Sequence, residues 1–130
     1  MRIAVTTDDG ESVASRFGRC KAFLILDAGN GEIRFVESRP NRHTPHAEGQ
    51  CGRHAEGAAH SHERVIALIG DCQALISGGI GWRAAADLEA RGIRPFVAAA
   101  PCGAAHAVSL LLTGLLKPAA ESACHGHHAT

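Results

Sequence analysis

The sequence predicts an α/β fold in which a mixed sheet of five strands is flanked by helices. Two observations lead to this prediction. In the first half of the chain, three apolar runs are separated by turn signals, and the second and third runs are joined as a hairpin. In the second half, strand patterns alternate with helix patterns, which favours parallel pairing. Antiparallel and parallel pairs are therefore expected in one sheet.

The first half contributes three of the predicted strands. Residues 2–7 are rich in β-branched side chains and residues 22–26 are continuously apolar, so both ranges are predicted as strands. Residues 27–31, with the sequence Asp-Ala-Gly-Asn-Gly, form a hairpin signal. Residues 32–37 alternate polar and apolar side chains, which predicts a third strand with one face in solvent, at an edge of the sheet or next to one.

The second half begins with a segment that has no usable periodicity, at residues 38–56. A loop of that length in a compact domain is usually functional or disordered. Residues 1–117 are expected to form one cofactor-binding domain, and residues 118–130 a flexible tail rich in cysteine and histidine. The other predicted elements are a helix at 58–69, a strand at 74–77, a helix at 82–90, a strand at 94–98 and a helix at 103–116 that Pro118 ends.

Composition excludes several classes of protein. The formal net charge is zero, so nothing favours a nucleic acid or a membrane surface as partner. The opening strand meets Asp8 and Asp9 too soon for a signal peptide, and a cytoplasmic location is expected. The five cysteines are then expected as thiols or ligands rather than disulfides. No Ser/His/Asp grouping or pair of carboxylates argues for hydrolysis, so an enzyme is not expected.

The chain holds nine histidines among its 130 residues, and many of its soft metal ligands are grouped in two places. Imidazole and thiolate bind transition metals and iron–sulfur clusters well. The alternatives are a solvated loop with incidental histidines and a disordered terminus with no specific task. The long loop carries His43, His46, Cys51 and His54, and the tail carries Cys124, His125, His127 and His128.

Among the cysteines, Cys20 has the position that most favours a role in ligand binding. It ends the loop after the first strand, where ligands of open α/β sheets tend to bind. Its neighbours Arg19 and Lys21 would lower the pKa of the thiol if their charges stay near it. The alternative is a half-buried structural cysteine. Cys102 could line the same edge of the sheet, whereas Cys72 is expected to pack in the core.

A glycine-rich turn, Gly78-Gly79-Ile80-Gly81, separates a buried strand from a helix. Its glycines allow a close approach of the backbone, and the helix start offers N–H groups to an anion. A tight structural turn explains the same spacing. His106 lies in a helix of alanines and leucines, so it is expected to be a core or surface histidine rather than a ligand.

The segments Arg16-Phe17-Gly18-Arg19-Cys20 and Ile76-Ser77-Gly78-Gly79-Ile80-Gly81, with the opening strand and the hairpin, resemble the dinitrogenase iron–molybdenum cofactor-binding family over about residues 1–117. Arg16 stands where that family often has histidine. The resemblance implies a ribonuclease H-like fold without nuclease activity, and carriers of iron–molybdenum cofactor or its iron–sulfur precursor. The residues predicted to bind the cofactor are Phe17, Gly18, Arg19, Cys20, Gly78, Gly79 and Gly81.

The leading hypothesis is a carrier that binds an iron–sulfur or iron–molybdenum-type cluster and passes it from a donor protein to an acceptor protein. Cys20 would anchor the cluster, and His46, Cys51 and His54 would close over it. The tail would capture or deliver metal, and two chains could meet in a homodimer. One alternative is a metallochaperone or storage protein for zinc, nickel or copper. A third hypothesis is a small enzyme acting on a phosphorylated metabolite at the glycine turn.

Overall fold

The computed structural model of the protein describes residues 1–41, 64–98 and 102–118. Within these ranges, six strands and three helical segments form an α/β fold. No helix of the described residues is long and apolar enough to cross a membrane. In chain order the elements are β1 (Arg2–Thr7), β2 (Ala22–Gly29), β3 (Glu32–Pro40), α1 (residues 64–68), β4 (Ala74–Ser77), α2 (Trp82–Ala90), β5 (Arg94–Val97), α3 (Ala104–Leu112) and β6 (Lys117–Pro118).

The strands form one mixed sheet in the order β3-β2-β1-β4-β5-β6. The pairs β1–β2, β2–β3 and β5–β6 are antiparallel, whereas β1–β4 and β4–β5 are parallel. The mixed α/β sheet and the edge position of β3 are therefore confirmed. The ribonuclease H-like label remains an implication of the family resemblance.

The predicted count of five strands is wrong, because the chain forms a sixth strand at the far edge. The predicted helix at 103–116 ends early, at Leu112, and Gly114 at a φ of 77° turns the chain back. Pro118 then pairs opposite Phe96 instead of merely ending a helix. Proline is tolerated on an edge strand, where its missing N–H is not needed by a neighbour. A strand of two residues is too short to show any periodicity.

The predicted hairpin is confirmed, with a turn of two residues between β2 and β3. Asn30 and Gly31 have φ values of 54° and 78°, the geometry that two-residue hairpins favour. β3 continues to Pro40, so residues 38–40 are strand and not the start of a loop. Only Ile33 and Arg39 of β3 are half-buried. The expectation of a single solvent face is wrong for this strand, which as an edge strand is exposed on both faces.

The core has two layers, one on each face of the sheet. Alternate residues of β1 serve opposite layers, since Ala4 joins one cluster and Ile3 and Val5 join the other. Helices α1 and α2 cover the first layer, and α3 covers the second. Burying one large apolar side chain contributes about 1.5–3 kcal/mol. The largest fully buried side chains are Phe23, Ile3, Ile25, Ile66, Ile69, Leu75, Ile76, Leu88, Ile93, Val5, Val65 and Val108.

Helix α2 has the bounds that the sequence predicts, whereas α3 is shorter than predicted. α2 turns Ala84, Ala85 and Leu88 to the core and ends before Gly92, whose φ is 82°. Residues 64–68 of the predicted helix at 58–69 are helical, and residues 58–63 lie outside the described residues. Residues 42–56 of the predicted long loop lie outside them as well.

One extended segment, residues 11–17, crosses the carboxyl ends of the parallel strands. The Ala14 N–H donates to the carbonyl of Thr6 at 2.8 Å, and the Ala14 carbonyl accepts the Gly78 N–H at 2.8 Å. The segment therefore bridges the ends of β1 and β4 much as a strand would. A Cβ on Gly79 would lie 2.7 Å from the Ser15 carbonyl oxygen, so only glycine fits at this crossing.

The amino ends of the strands are held by a network of ion pairs. Arg2 contacts Asp27 and Asp71, each at 3.0 Å, and Arg39 contacts Asp71 at 2.7 Å. Arg39 also donates to the Leu68 carbonyl at 2.8 Å, at the end of α1. The hydrogen bond from Arg39, with help from Arg2, holds the pKa of the Asp71 carboxyl well below its usual range. This network joins β1, the hairpin and the α1–β4 connection.

Replacing Gly79 by alanine is expected to separate residue 15 from the glycine turn. The added Cβ meets a backbone oxygen and not the end of a flexible side chain. We expect Gly79→Ala to destabilise the protein by about 1–3 kcal/mol in urea unfolding. Gly81→Ala is the matched control, since its Cβ would meet nothing within 4 Å. Equal stability of the two variants would contradict the close approach.

Replacing Asp71 by asparagine tests the network at the amino ends. Because Asp71 is 45% exposed, we expect a loss of only about 1 kcal/mol at neutral pH. A carboxyl with a lowered pKa stabilises the fold above its unfolded pKa, and this contribution is lost as the pH falls below about 4. The difference between wild type and Asp71→Asn should therefore shrink in acid. Asp87→Asn, on the exposed face of α2, is the matched control for the loss of a carboxylate. A constant difference between wild type and Asp71→Asn across this pH range would refute the assignment.

Candidate functional site

A cavity of about 340 Å³ lies where residues 15–19 meet the glycine turn. The two sequence segments that carry the family resemblance thus form two walls of one site, at the carboxyl ends of β1 and β4. The volume is in the range of small-molecule and cofactor sites. The cavity is lined by Ser15, Arg16, Phe17, Arg19, Gly79, Ile80 and Gly81.

The charge of this cavity is positive. Arg16 and Arg19 are both exposed, and neither makes an ion pair with a carboxylate of the described residues. Gly81 is the N-cap of α2 and offers no side-chain cap, and the first turn of α2 holds no acidic residue. Backbone N–H groups at a helix start and guanidinium groups both favour a bound anion.

The walls of the cavity are fixed by backbone contacts. Phe17 donates its N–H to the Gly79 carbonyl at 2.9 Å, and its ring packs in the core 6.0 Å from the ring of Phe23. Gly18 has a φ of 91°, which lets the chain turn between Phe17 and Arg19. Gly78 does not line the cavity but donates its N–H to Ala14. Of the predicted cofactor-binding residues, Phe17, Arg19, Gly79 and Gly81 therefore reach the cavity directly.

Ser77 supports the glycine turn, although the sequence reasoning did not single it out. Its buried hydroxyl donates to the Gly79 carbonyl at 3.0 Å and accepts the Gly79 N–H at 3.4 Å. Both polar groups of Gly79 are thus oriented by one side chain. A small hydroxyl residue at the end of a buried strand, directly before two glycines, is the signal that could have identified it.

Cys20 lies in the core beside the site and not in its wall. The residue is 1% exposed, and its Sγ lies 3.9 Å from the amide nitrogen of Asn41. Burial raises the pKa of the Cys20 thiol to about 11. The condition for a lowered pKa is not met, because Arg19 and Lys21 are exposed to solvent while the thiol is buried in the core. The role of Cys20 as cluster anchor stays a prediction, and it requires the thiol to become accessible.

The other described cysteines take different positions. Cys102 is half-buried at the carboxyl ends of the strands, like Cys20, and its carbonyl accepts the Val13 N–H at 2.8 Å. It packs against the second core layer, whereas Cys20 lies in the first. Cys72 is buried at the amino end of β4, as predicted, and burial raises the pKa of its thiol to about 12. His106 is exposed on α3.

The two histidine-rich groups lie outside the described residues, so their ligand assignments stay predictions. Within residues 1–41, 64–98 and 102–118, no group of three or more potential metal ligands converges. The ligands concerned are His43, His46, Cys51 and His54 of the predicted loop, and Cys124, His125, His127 and His128 of the tail.

A second, larger cavity of about 530 Å³ lies at the opposite end of the parallel strands, beside Arg2 and Asp71 at their amino ends. Its Arg2, Asp27 and Asp71 side chains are already paired with one another in the network at the amino ends. The smaller cavity offers cations without carboxylate partners in the described structure, and it contains both sequence segments. It is therefore the better candidate for a functional site, and its chemistry suits an anion.

Comparison with known proteins identifies relatives of this chain. Residues 1–114 match the family model described as dinitrogenase iron-molybdenum cofactor. The chain is 32% identical to the protein NifY of Azotobacter vinelandii over 95 residues, which are 73% of this chain and 35% of NifY. It is 31% identical to the FeMo cofactor biosynthesis protein NifB of the same organism over 93 residues, which are 72% of this chain and 18% of NifB. The chain thus spans about a third or less of the length of these relatives.

The fold also agrees with a solved structure. The apo form of the orange protein from Desulfovibrio gigas matches this chain with a TM-score of 0.66 at 25% identity, and the match covers 92% of each chain. The family model covers most of the present chain, including both walls of the cavity. The resemblance predicted from the sequence is therefore confirmed: this chain belongs to the dinitrogenase iron–molybdenum cofactor family.

Proposed function

We propose that the protein binds an anionic iron–sulfur or iron–molybdenum-type cluster in the cavity between residues 15–19 and the glycine turn, and carries it from a donor protein to an acceptor protein. The cluster is cargo and is not a substrate of a reaction on the protein. No catalytic role is proposed, since the cavity presents arginines and backbone groups and no acid or base beside the turn.

The positive charge of the cavity is the observation that carries this proposal. Arg16 and Arg19 come from one wall, and the uncapped start of α2 follows directly from the other wall at Gly81. Charge-assisted hydrogen bonds to an anion are stronger than neutral ones. Preformed donors also cost little to order on binding, because the glycine turn is already held by Ser77 and Ala14.

The chemistry of the donors fits the charge of such a cluster but does not complete its coordination. Iron–sulfur clusters are usually held by cysteine thiolates. The described lining of the cavity contains no thiol and no imidazole. In the proposal, the arginines and N–H groups hold the cluster's charge, and direct ligands come from Cys20 after a local rearrangement or from the predicted loop and tail ligands.

The comparisons support the proposal in general terms. The family is named for the iron–molybdenum cofactor, and two relatives carry the names NifY and FeMo cofactor biosynthesis protein NifB. The family name and the name of NifB both refer to this cofactor, which supports a role in metallocluster assembly. The alternative of a carrier for a single zinc, nickel or copper ion is less consistent with this cavity, because two arginines repel a free cation.

The arginines can be tested by anaerobic reconstitution of the full chain with iron and sulfide. We expect the double variant Arg16→Ala/Arg19→Ala to retain cluster at least about tenfold more weakly, because hydrogen bonds to charged groups contribute about 1.5–3 kcal/mol each. Iron content and visible absorption after desalting measure retention. Arg34→Ala is the matched control, since this side chain is 80% exposed on β3 and does not line the cavity.

Equal retention by the double variant and the Arg34→Ala control would refute the cavity as the binding site. In the same assay, the variant Cys20→Ser distinguishes coordination of iron by the Cys20 thiolate from attraction by the arginine charges. A hydroxyl is a poor ligand for iron, so loss of the visible spectrum is expected if the thiolate anchors the cluster. Unchanged iron content in Cys20→Ser would exclude that anchor, while the result for the arginines would stand.

A further inference from the structure

Trp82 is an exposed aromatic side chain beside the cavity. It is the one tryptophan of the chain and is 61% exposed. It begins α2 directly after Gly81, which lines the cavity. Tryptophan is usually well buried, and burying this large side chain is favourable. An exposed tryptophan at the rim of a functional site therefore suggests that a partner covers it.

The charge around Trp82 is locally positive. The Arg83 guanidinium lies 5.3 Å from the centre of the Trp82 ring, a cation–π geometry that keeps both side chains oriented. Arg16 and Arg19 stand across the cavity. Because the net charge of the whole chain is zero, this concentration of cations is a local feature and not an effect of overall composition.

The carboxylates of the loop after β1 are engaged in hydrogen bonds. Asp9 accepts hydrogen bonds from the hydroxyls of Ser12 at 2.6 Å and Thr7 at 3.2 Å. Asp8 accepts the Lys21 N–H at 3.0 Å. The first turn of α2 holds no acidic residue.

We propose that Trp82 and Arg83 form a docking face for an acidic surface of a partner protein. Trp82 supplies an apolar anchor, and Arg83 pairs with a carboxylate of the partner. Tryptophan and arginine are enriched among the residues that dominate interface energetics. Arg16 and Arg19 extend the positive potential, which speeds the encounter with an acidic partner.

The docking face rests on the proposed function in one respect: the carrier function identifies the partner as the protein that exchanges cargo with this cavity. A partner bound over Trp82 lies next to the cavity, because Gly81 and Trp82 are consecutive residues. The proposal names acidic chemistry and not a particular protein. The side chains of Trp82 and Arg83 do not line the cavity, and Trp82→Ala keeps every cation and backbone N–H of the site, so this variant is expected to leave cargo loading unchanged.

The test uses the full chain without cargo and a fluorescein-labelled peptide of ten glutamates and one leucine. Fluorescence anisotropy should show saturable binding that weakens as salt is raised. Trp82→Ala and Arg83→Gln should each weaken binding at least about fivefold, the scale of a contact contributing about 1 kcal/mol. Arg91→Gln is the matched control, because Arg91 is exposed at the other end of the same helix. A peptide with ten lysines in place of the glutamates should not bind.

Absence of saturable binding, or equal affinities in Trp82→Ala and wild type, would overturn the docking face. A loss in Arg91→Gln as large as that in Arg83→Gln would show diffuse attraction and overturn it as well. All three side chains are exposed, and circular dichroism verifies that each variant folds. Cluster loading is measured on the same preparations. Loading without peptide binding rejects this inference alone, whereas peptide binding without loading rejects the carrier function alone.

Discussion

The backbone hydrogen bonds of Ala14 are the contact on which the rest of the site depends. Ala14 donates to Thr6 at the end of β1 and accepts from Gly78 after β4, so it closes the gap between the two parallel strands. The Thr6 hydroxyl also donates to the Ala14 carbonyl at 3.3 Å. This bridge places residues 15–19 against the glycine turn. The cavity lies where this bridge holds the two wall segments together.

The two ends of the sheet differ in how their charges are used. At the amino ends, Arg2 and Arg39 are paired with carboxylates, and the resulting network ties the chain together. At the carboxyl ends, Arg16 and Arg19 face the cavity without carboxylate partners in the described structure. Paired charges stabilise a fold modestly, whereas unpaired charges in a concave site favour a ligand of opposite sign. One end is therefore structural, and the other is suited to binding.

Much of the fold could be predicted because its signals are local. Short apolar runs located β1 and β4, glycines on either side located α2, and the Asn-Gly pair located the hairpin turn. The sixth strand could not be predicted, because Lys117 and Pro118 pair only through the turn at Gly114. The extension of β3 to Pro40 was missed because residues 38–40, Ser-Arg-Pro, contain no apolar alternation that would indicate a strand.

The candidate site was predicted in part. Both wall segments were identified from the chain, because glycines at tight turns and arginines beside them are visible in a sequence. The burial of the Cys20 thiol was not predictable, because residues adjacent in sequence can point to opposite sides of the chain. Arg19 and Lys21 would lower the pKa of the thiol only if their side chains pointed the same way as the thiol. Here the thiol points to the core and the charged side chains point to solvent. Ser77 was missed because its role depends on the carbonyl of Gly79, which the sequence does not place.

The most direct measurement of the central claim is the effect of bound cluster on backbone amide signals. In a nitrogen-labelled sample loaded with a paramagnetic iron–sulfur cluster, amides close to the cluster lose intensity. Binding in the cavity predicts that residues 16–19 and 79–84 lose their signals, while residues 28–34 at the hairpin keep theirs. Signal loss around the hairpin or confined to residues 119–130, with residues 16–19 and 79–84 unchanged, would contradict the account.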